Sequence, residues 1–165
     1  MAEGEHLVAS NRRARFEYHI EDALEAGLVL TGTEVKALRA GRASIQDAFA
    51  RVEDGELWLY HMHIPPYEAG NIFNHDPLRK RKLLLHASQI RRLQGKAQQK
   101  GYTLVLLRVY FRRGLAKVEL ALAHGKKRYD KRADIARRDA DRQIERAVKR
   151  KLPPNLPTER RSRRA

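Results

Sequence analysis

The sequence predicts a mainly β fold, a small closed barrel with two or three short helices and a basic C-terminal tail. Three observations lead there. Short apolar runs alternate at period two between Gly, Pro and Asp-Gly turn signals, with no strand–helix–strand rhythm. Helical spacing is confined to two brief stretches of the body. From Asp130 the pattern changes to a four-residue spacing in which charge outweighs apolar content.

The elements follow in order. Phe16, Tyr18 and Ile20 alternate with Glu17 and His19 as a half-buried strand, and Ala26–Leu30 reads as a second. Thr31 or Thr33 can cap a helix over Glu34–Arg39, which Gly41 ends. Ala48–Val52 and Leu57–Tyr60 flank Asp54-Gly55, a dipeptide suited to the tight turn of a hairpin. Pro65-Pro66 closes that pair. Leu83–Leu85 is a strand, followed by a helix from about Ala87 to Gln99 with Ile90, Leu93 and Ala97 on one face and Gly101 as its stop. Thr103–Phe111 and Ala116–His124 form a last hairpin across Arg112-Arg113-Gly114. Six or seven strands in residues 1–125 suit a barrel of the oligonucleotide-binding (OB) type, whose strand faces and loops serve RNA. Residues 126–165 form a separate tail.

Charge points to the partner. The 165 residues carry 35 Lys and Arg against 20 Asp and Glu, a net charge of +15. Lys126–Ala165 alone holds 16 basic and 6 acidic residues, so +10 of that total lies in the tail. A concentrated cationic tail on a near-balanced body suits a polyanion, because each phosphate contact releases a counterion. The chain has no cysteine, which excludes disulfides and thiolate metal sites and favours an intracellular setting. Met1–Glu5 is acidic with no apolar segment after it, unlike a secretory signal, and the longest hydrophobic run, Leu104–Phe111, already contains Arg108. A soluble, cytoplasmic monomer that does not enter membranes is expected.

In the tail, Ala136, Ala140, Ile144, Val148 and Leu152 form a thin apolar stripe, while Arg138, Arg142, Arg146 and Arg150 run along nearly the opposite face. Like charges four residues apart each cost a few tenths of a kcal/mol in an isolated helix. Asp134–Arg138 and Glu145–Lys149 pairs offset part of this. The expected state is a helix over about 131–151 that is frayed or disordered when free and firms up on phosphates, ended by Pro153-Pro154, with a disordered basic stub over Thr158–Ala165.

No catalytic constellation is present in the sequence. Gly125-Lys126-Lys127 has Leu120 where a P-loop needs glycine and lacks the following Ser or Thr. His61-x-His63 has no third ligand of clear spacing, and His75-Asp76 no nucleophile beside it. No enzyme, metal or cofactor is implied. The basic clusters are more informative. Arg79-Lys80-Arg81-Lys82 runs into Leu83-Leu84-Leu85, so the core should hold four cations as a rigid phosphate-binding edge. Asn11-Arg12-Arg13-Ala14-Arg15 is a second cluster. Gly125-Lys126-Lys127-Arg128-Tyr129-Asp130-Lys131-Arg132 sets an aromatic ring among cations, where Tyr129 can stack on an unpaired base or simply pack at the helix entry.

These clusters, with Glu25-Ala26-Gly27, Gly32-Thr33-Glu34-Val35-Lys36-Ala37-Leu38-Arg39-Ala40-Gly41 and Asp76–His86, stand in the order and spacing of one family. Over residues ~9–150 the chain resembles the small protein B family, the bacterial tmRNA-binding (SsrA-binding) proteins of trans-translation. The resemblance implies a barrel that holds the tRNA-like domain of tmRNA and occupies the place of its missing anticodon arm. It implies a tail that enters the empty mRNA channel of a stalled small subunit, against 16S rRNA, and folds there as a helix. Elongation factor Tu would deliver the alanyl-tmRNA complex. RNA-binding roles would fall on Arg13, Glu25, Leu84 and His86 with Arg79, Lys80, Arg81 and Lys82. Ribosome and decoding-centre roles would fall on Gly125, Lys126, Lys127, Tyr129, Lys131 and Arg132, and along the helix on Arg138, Arg142, Ile144 and Arg146. Residues beyond Leu152 extend past the family's usual ending and are given only non-specific RNA affinity. Without the resemblance, a ribosomal or ribosome-assembly rRNA-binding protein fits the residues equally well; the RNA that co-purifies would separate the two.

Overall fold

The computed structural model describes residues 4–68, 74–99 and 101–151, with the side chains of residues 128 and 129 left out. The chain divides into two compact units, Met1–Lys126 and Lys127–Ala165. In the first, the order is β1 (Glu5–Ser10), α1 (Ala14–Glu17), β2 (Tyr18–Leu28), α2 (Gly32–Arg39), β3 (Phe49–Glu53), β4 (Glu56–Tyr60), β5 (Arg81–Leu84), α3 (Ala87–Ala97), β6 (Tyr102–Arg112) and β7 (Leu115–Gly125). The second contains α4 (Arg128–Lys151).

All strand pairs are antiparallel, and the sheet closes on itself through β6-β3-β4-β5-β2-β7-β6. One edge of β6 runs along β7; its other edge is divided between β3, at Leu104 and Val105, and β1, at Arg108–Arg112. This ring is mainly β and consistent with an OB-like fold. Two tight turns hold its hairpins. Asp54 and Gly55 have φ of 50° and 75°, and Arg113 and Gly114 have 51° and 76°, the positive pair a two-residue hairpin turn requires.

Leu57, Leu59, Leu83, Leu106 and Leu120 point into the ring and are almost completely buried. Leu38 of α2 and Leu93 of α3 join the same core. Each such leucine is worth about 1.5–3 kcal/mol of burial. A smaller cluster, Ala14 with Val105, Leu107, Ala121 and Ala123, packs separately.

The structure revises the reading at the start of the chain. The strands read at Phe16–Ile20 and Ala26–Leu30 are one strand, β2, and Phe16 belongs to the single turn α1. Glu21-Asp22, which broke the alternation, sits at an irregularity between Ile20 and Asp22, where β2 bends without leaving β7. Buried Asn11 sets the preceding turn. Its amide donates to the carbonyls of Gln46 and Leu106, both at 3.3 Å, and its Oδ1 accepts from Ala14 N–H at 3.2 Å. β1 lies outside the sequence reading altogether.

Candidate nucleic-acid interface

The period-two alternation of β2 and β5 decides what faces outward. Ala26, Leu28, Arg81 and Leu83 turn into the core, so Glu25, Gly27, Lys82 and Leu84 turn out. Gly27 pairs with Leu84, bringing residues from distant parts of the chain side by side. Leu84 is 53% exposed, a large apolar side chain offered to solvent beside cations. His86, also exposed, follows at the N-terminal cap of α3, where its N–H donates to Gln89 Oε1 at 3.3 Å.

Glu25 is held by neighbours the sequence reading did not single out. Its cross-strand partner on β7 is Glu119, a like charge that needs compensation. Arg108 supplies it at Glu119, and Arg112 donates to Glu25 Oε2 at 2.7 Å. Tyr110 O–H donates to the same Oε2, so among the described residues Oε1 has no hydrogen-bond partner. Burial and the Glu25 hydrogen bond push the Tyr110 phenol well above its usual range, which keeps it a donor. Glu5 completes the network by accepting from Arg108 at 2.6 Å and Arg112 at 3.1 Å. Its hydrogen bond from Arg112 holds the Glu5 carboxyl below the ordinary carboxylate range.

The four-cation edge needs correction at Arg81. Its side chain is wholly buried: it donates to Glu34, to Met62 O at 2.6 Å and to Pro77 O at 3.2 Å. Arg79 adds a 2.6 Å ion pair to the other Glu34 oxygen. Burial alone would raise the Glu34 carboxyl, but hydrogen bonds from Arg81 and Arg79 overcome it and hold it below its usual value. Arg81 is therefore a core residue that ties β5 to α2. Lys80 and Lys82 face solvent in exposed pairs with Glu53 at 3.3 Å and Glu56 at 2.8 Å. Alternation along β5 inverts every second cation, which a run of four basic letters conceals.

Arg13 caps α1 and pairs with Glu17 at 3.1 Å. It sits by the Tyr18 end of β2, seven residues from Glu25 along an extended strand, or roughly 23 Å. The structure does not bring it to the Glu25–Leu84 group. Gly125 pairs with Tyr18 at that same end. Lys126 N–H donates to Glu17 O at 2.9 Å and its ammonium to Arg15 O at 3.0 Å.

In the second unit, Lys127 N–H donates to Asp130 Oδ2 at 3.3 Å, which holds the start of α4. The Tyr129 side chain lies outside the described ones. Lys131 and Arg132 occupy the early turns of a 24-residue helix. From Arg137 onward every residue through Lys151 is exposed, including Ile144 and Val148 at 62% and 54%. Glu145–Lys149 pairs at 2.7 Å as its spacing predicts, Asp134 accepts from Arg137, and Arg142 lies 3.7 Å from Asp139. Arg138 and Arg146 are exposed on the same helix. The stretch after residue 151 lies outside the described residues.

Two other histidines take structural positions. His75 bridges Thr33 Oγ1 at 2.9 Å and Ile64 O at 2.8 Å, and His63 pairs with Ser44 through its backbone. No cluster of three potential metal ligands occurs among the described residues. No described helix is long and apolar enough to cross a membrane.

A family model described as "SmpB protein" matches residues 8–150. The SsrA-binding protein of Pelotomaculum thermopropionicum is 64% identical over 146 residues, covering 88% of this chain and 95% of that protein. That of Desulfitobacterium hafniense is 58% identical over 145 residues, covering 88% and 93%. A solved chain described as "tmRNA-SmpB: a journey to the center of the bacterial ribosome" is 58% identical and superposes with a TM-score of 0.62, covering 73% of this chain and 85% of that one.

Proposed function

The chain belongs to the SmpB protein family, and from that membership we propose that it binds the tRNA-like domain of tmRNA and brings it to stalled ribosomes as an RNA-binding protein rather than an enzyme. The observation that carries this reading is the outward face shared by Glu25, Lys82 and Leu84, where a fixed acceptor, a cation and an exposed apolar side chain adjoin. Each group has a use against structured RNA. Leu84 packs on a base or ribose, and Glu25 Oε1 accepts from a base N–H or a 2′-hydroxyl, the group that marks RNA. Lys80 and Lys82 exchange weak surface ion pairs for phosphates, with Arg79 beside them. His86 extends the same face at the start of α3.

The tail serves the ribosome. Gly125, Lys126, Lys127, Tyr129, Lys131 and Arg132 meet the decoding centre, and α4 lies in the empty mRNA channel with Arg138, Arg142 and Arg146 on 16S rRNA phosphates. Its apolar stripe centres on Ile144. The protein acts in the cytoplasm as a monomer, with elongation factor Tu engaged through alanyl-tmRNA.

Fluorescence anisotropy of a labelled tRNA-like domain tests the central step. Leu84→Ala and Glu25→Ala should each weaken binding about tenfold, equivalent to 1.4 kcal/mol, while affinity for an unrelated duplex stays unchanged. Wild-type affinity in both variants would rule out this face.

A further inference from the structure

The single tryptophan of the chain, Trp58, sits on the outer side of β4, and the tmRNA-binding face gives neither it nor its neighbour Arg51 a part. Arg51 is its cross-strand partner on β3 and Lys82 its partner on β5. The Lys80 ammonium lies 4.5 Å from its ring centroid. Two positions along the strand, Tyr60 stacks on its own cross-strand partner Phe49, with ring centres 5.5 Å apart and planes inclined by 13°. These rings are half-buried, so part of each remains open to solvent. Beside Phe49 and Arg51, where β3 parts from β6, a cavity of about 390 Å³ opens; Gln94 of α3, Gln98 just past its end and Tyr102 also line it.

We propose that this outer face of the β3–β4 hairpin is a second RNA site on the body, a platform for unpaired nucleotides. A base stacks on Trp58, and the next enters the cavity beside Phe49, where glutamine amides can both donate to and accept from a base edge. Arg51 takes one flanking phosphate and Lys80, shared with the tmRNA-binding face, the other. The charge pattern argues for RNA: three cations surround one indole, and the acids nearby act as replaceable counterions. Glu53 holds Lys80 through an exposed pair at 3.3 Å, and its carboxyl is kept below its ordinary value chiefly by a hydrogen bond from Tyr60. A phosphate that captures Lys80 gives up little, because exposed ion pairs are weak. An apolar protein partner would instead leave these cations and carboxylates desolvated without matched charges.

The site is read from Trp58, Phe49 and Arg51, which the tmRNA-binding face does not use, so its failure would leave the reading of that face untouched. Because Trp58 is the single tryptophan, its emission in the full chain reports binding at this point. Titration with single-stranded U10 or A10 should give saturable quenching that persists in excess ten-base-pair RNA duplex, since a duplex presents phosphates but no unstacked base. Arg51→Gln should weaken the quenching affinity several-fold. Glu53→Gln, which keeps a hydrogen-bond acceptor for Tyr60 but releases Lys80, should tighten it several-fold, a gain that misfolding cannot produce. Equal quenching by duplex, no quenching by either strand type, or unchanged affinity in both variants would overturn the proposal.

Discussion

Gly27 and Leu84 face each other across β2 and β5 so closely that a Cβ on Gly27 would lie 3.2 Å from the Leu84 Cβ. Both atoms are fixed to strand backbone, so relief requires the strands themselves to shift. The missing side chain lets Leu84 stand over β2 with 53% of its surface exposed. Gly27→Ala should fold, with a stability loss of about 1 kcal/mol from overpacking. It should also displace Leu84 and weaken binding of the tRNA-like RNA several-fold. Urea denaturation and anisotropy on the same sample check both effects, and unchanged affinity would mean that Leu84's position is not critical.

Arg81 and Lys82 are consecutive cations with opposite fates. Arg81→Ala would leave Glu34 buried beside Arg79 alone, and breaking a buried pair from one side costs about 3–5 kcal/mol. Its variant should fail through instability, seen as an early denaturation midpoint. Lys82→Ala should stay within about 1 kcal/mol of wild type, because its pair with Glu56 is exposed. It should instead reduce the slope of log affinity against log salt by about 0.7–0.9, one phosphate contact. An unchanged slope in Lys82→Ala would remove Lys82 from the phosphate contacts.

Acid should unfold the body partly through Glu34. Its carboxyl is depressed below its ordinary 4.5 in the folded state, chiefly because hydrogen bonds from Arg81 and Arg79 outweigh the effect of burial. Such a group contributes stability that is fully present above the unfolded value and is lost as pH falls through the folded one. The wild type should therefore lose stability below about pH 4.5. Glu34→Gln, less stable at neutral pH, should show a shallower acid limb in thermal melts between pH 6 and pH 3. Parallel profiles for the two proteins would exclude Glu34 as a source of the slope.

The strand set was legible wherever turn chemistry and alternation coincided. Asp54-Gly55 and Arg113-Gly114 marked both hairpins, and Thr31 with Gly41 bracketed α2. The first strand was not, because Leu7 is exposed between exposed His6 and half-buried Val8, and the segment is ordered by pairing with β6 about 100 residues later. The Glu21-Asp22 bulge likewise split one strand into two. At the candidate interface, the basic run was visible but its inward and outward members were not, since only the register of β5 against β4 and β2 tells Arg81 from Lys82. The Arg108–Glu5–Arg112–Glu25 network was similarly out of reach, because it joins three strands far apart in sequence.

The body should bind the tRNA-like RNA without its tail. The cut belongs after Lys126, whose N–H and ammonium hold Glu17 O and Arg15 O and so close the β2–β7 end. Truncation there removes residues 127–165, which carry +9 of the chain's net +15. Affinity for the tRNA-like domain should persist with a smaller salt dependence, while weak binding to arbitrary RNA should fall sharply. A folded truncation that has lost specific affinity by orders of magnitude would show that the two units share the task.

The helical state of the tail is the last point at issue, and Ile144 is where to test it. All residues from Arg137 to Lys151 are exposed, so α4 rests on local hydrogen bonds and a few ion pairs, such as Glu145–Lys149, each worth a few tenths of a kcal/mol. Four arginines at four-residue spacing work against it until phosphates neutralise them. In free solution, amide exchange over residues 131–151 should be fast, and on a stalled ribosome slow. Ile144→Pro removes a backbone donor and clashes with the preceding turn, at about 3 kcal/mol or more in a formed helix. It should leave tRNA-like RNA binding at the wild-type level and abolish tagging of stalled products. Anisotropy and a tagging assay on that one variant decide the matter: wild-type tagging would mean that the tail acts without becoming a helix.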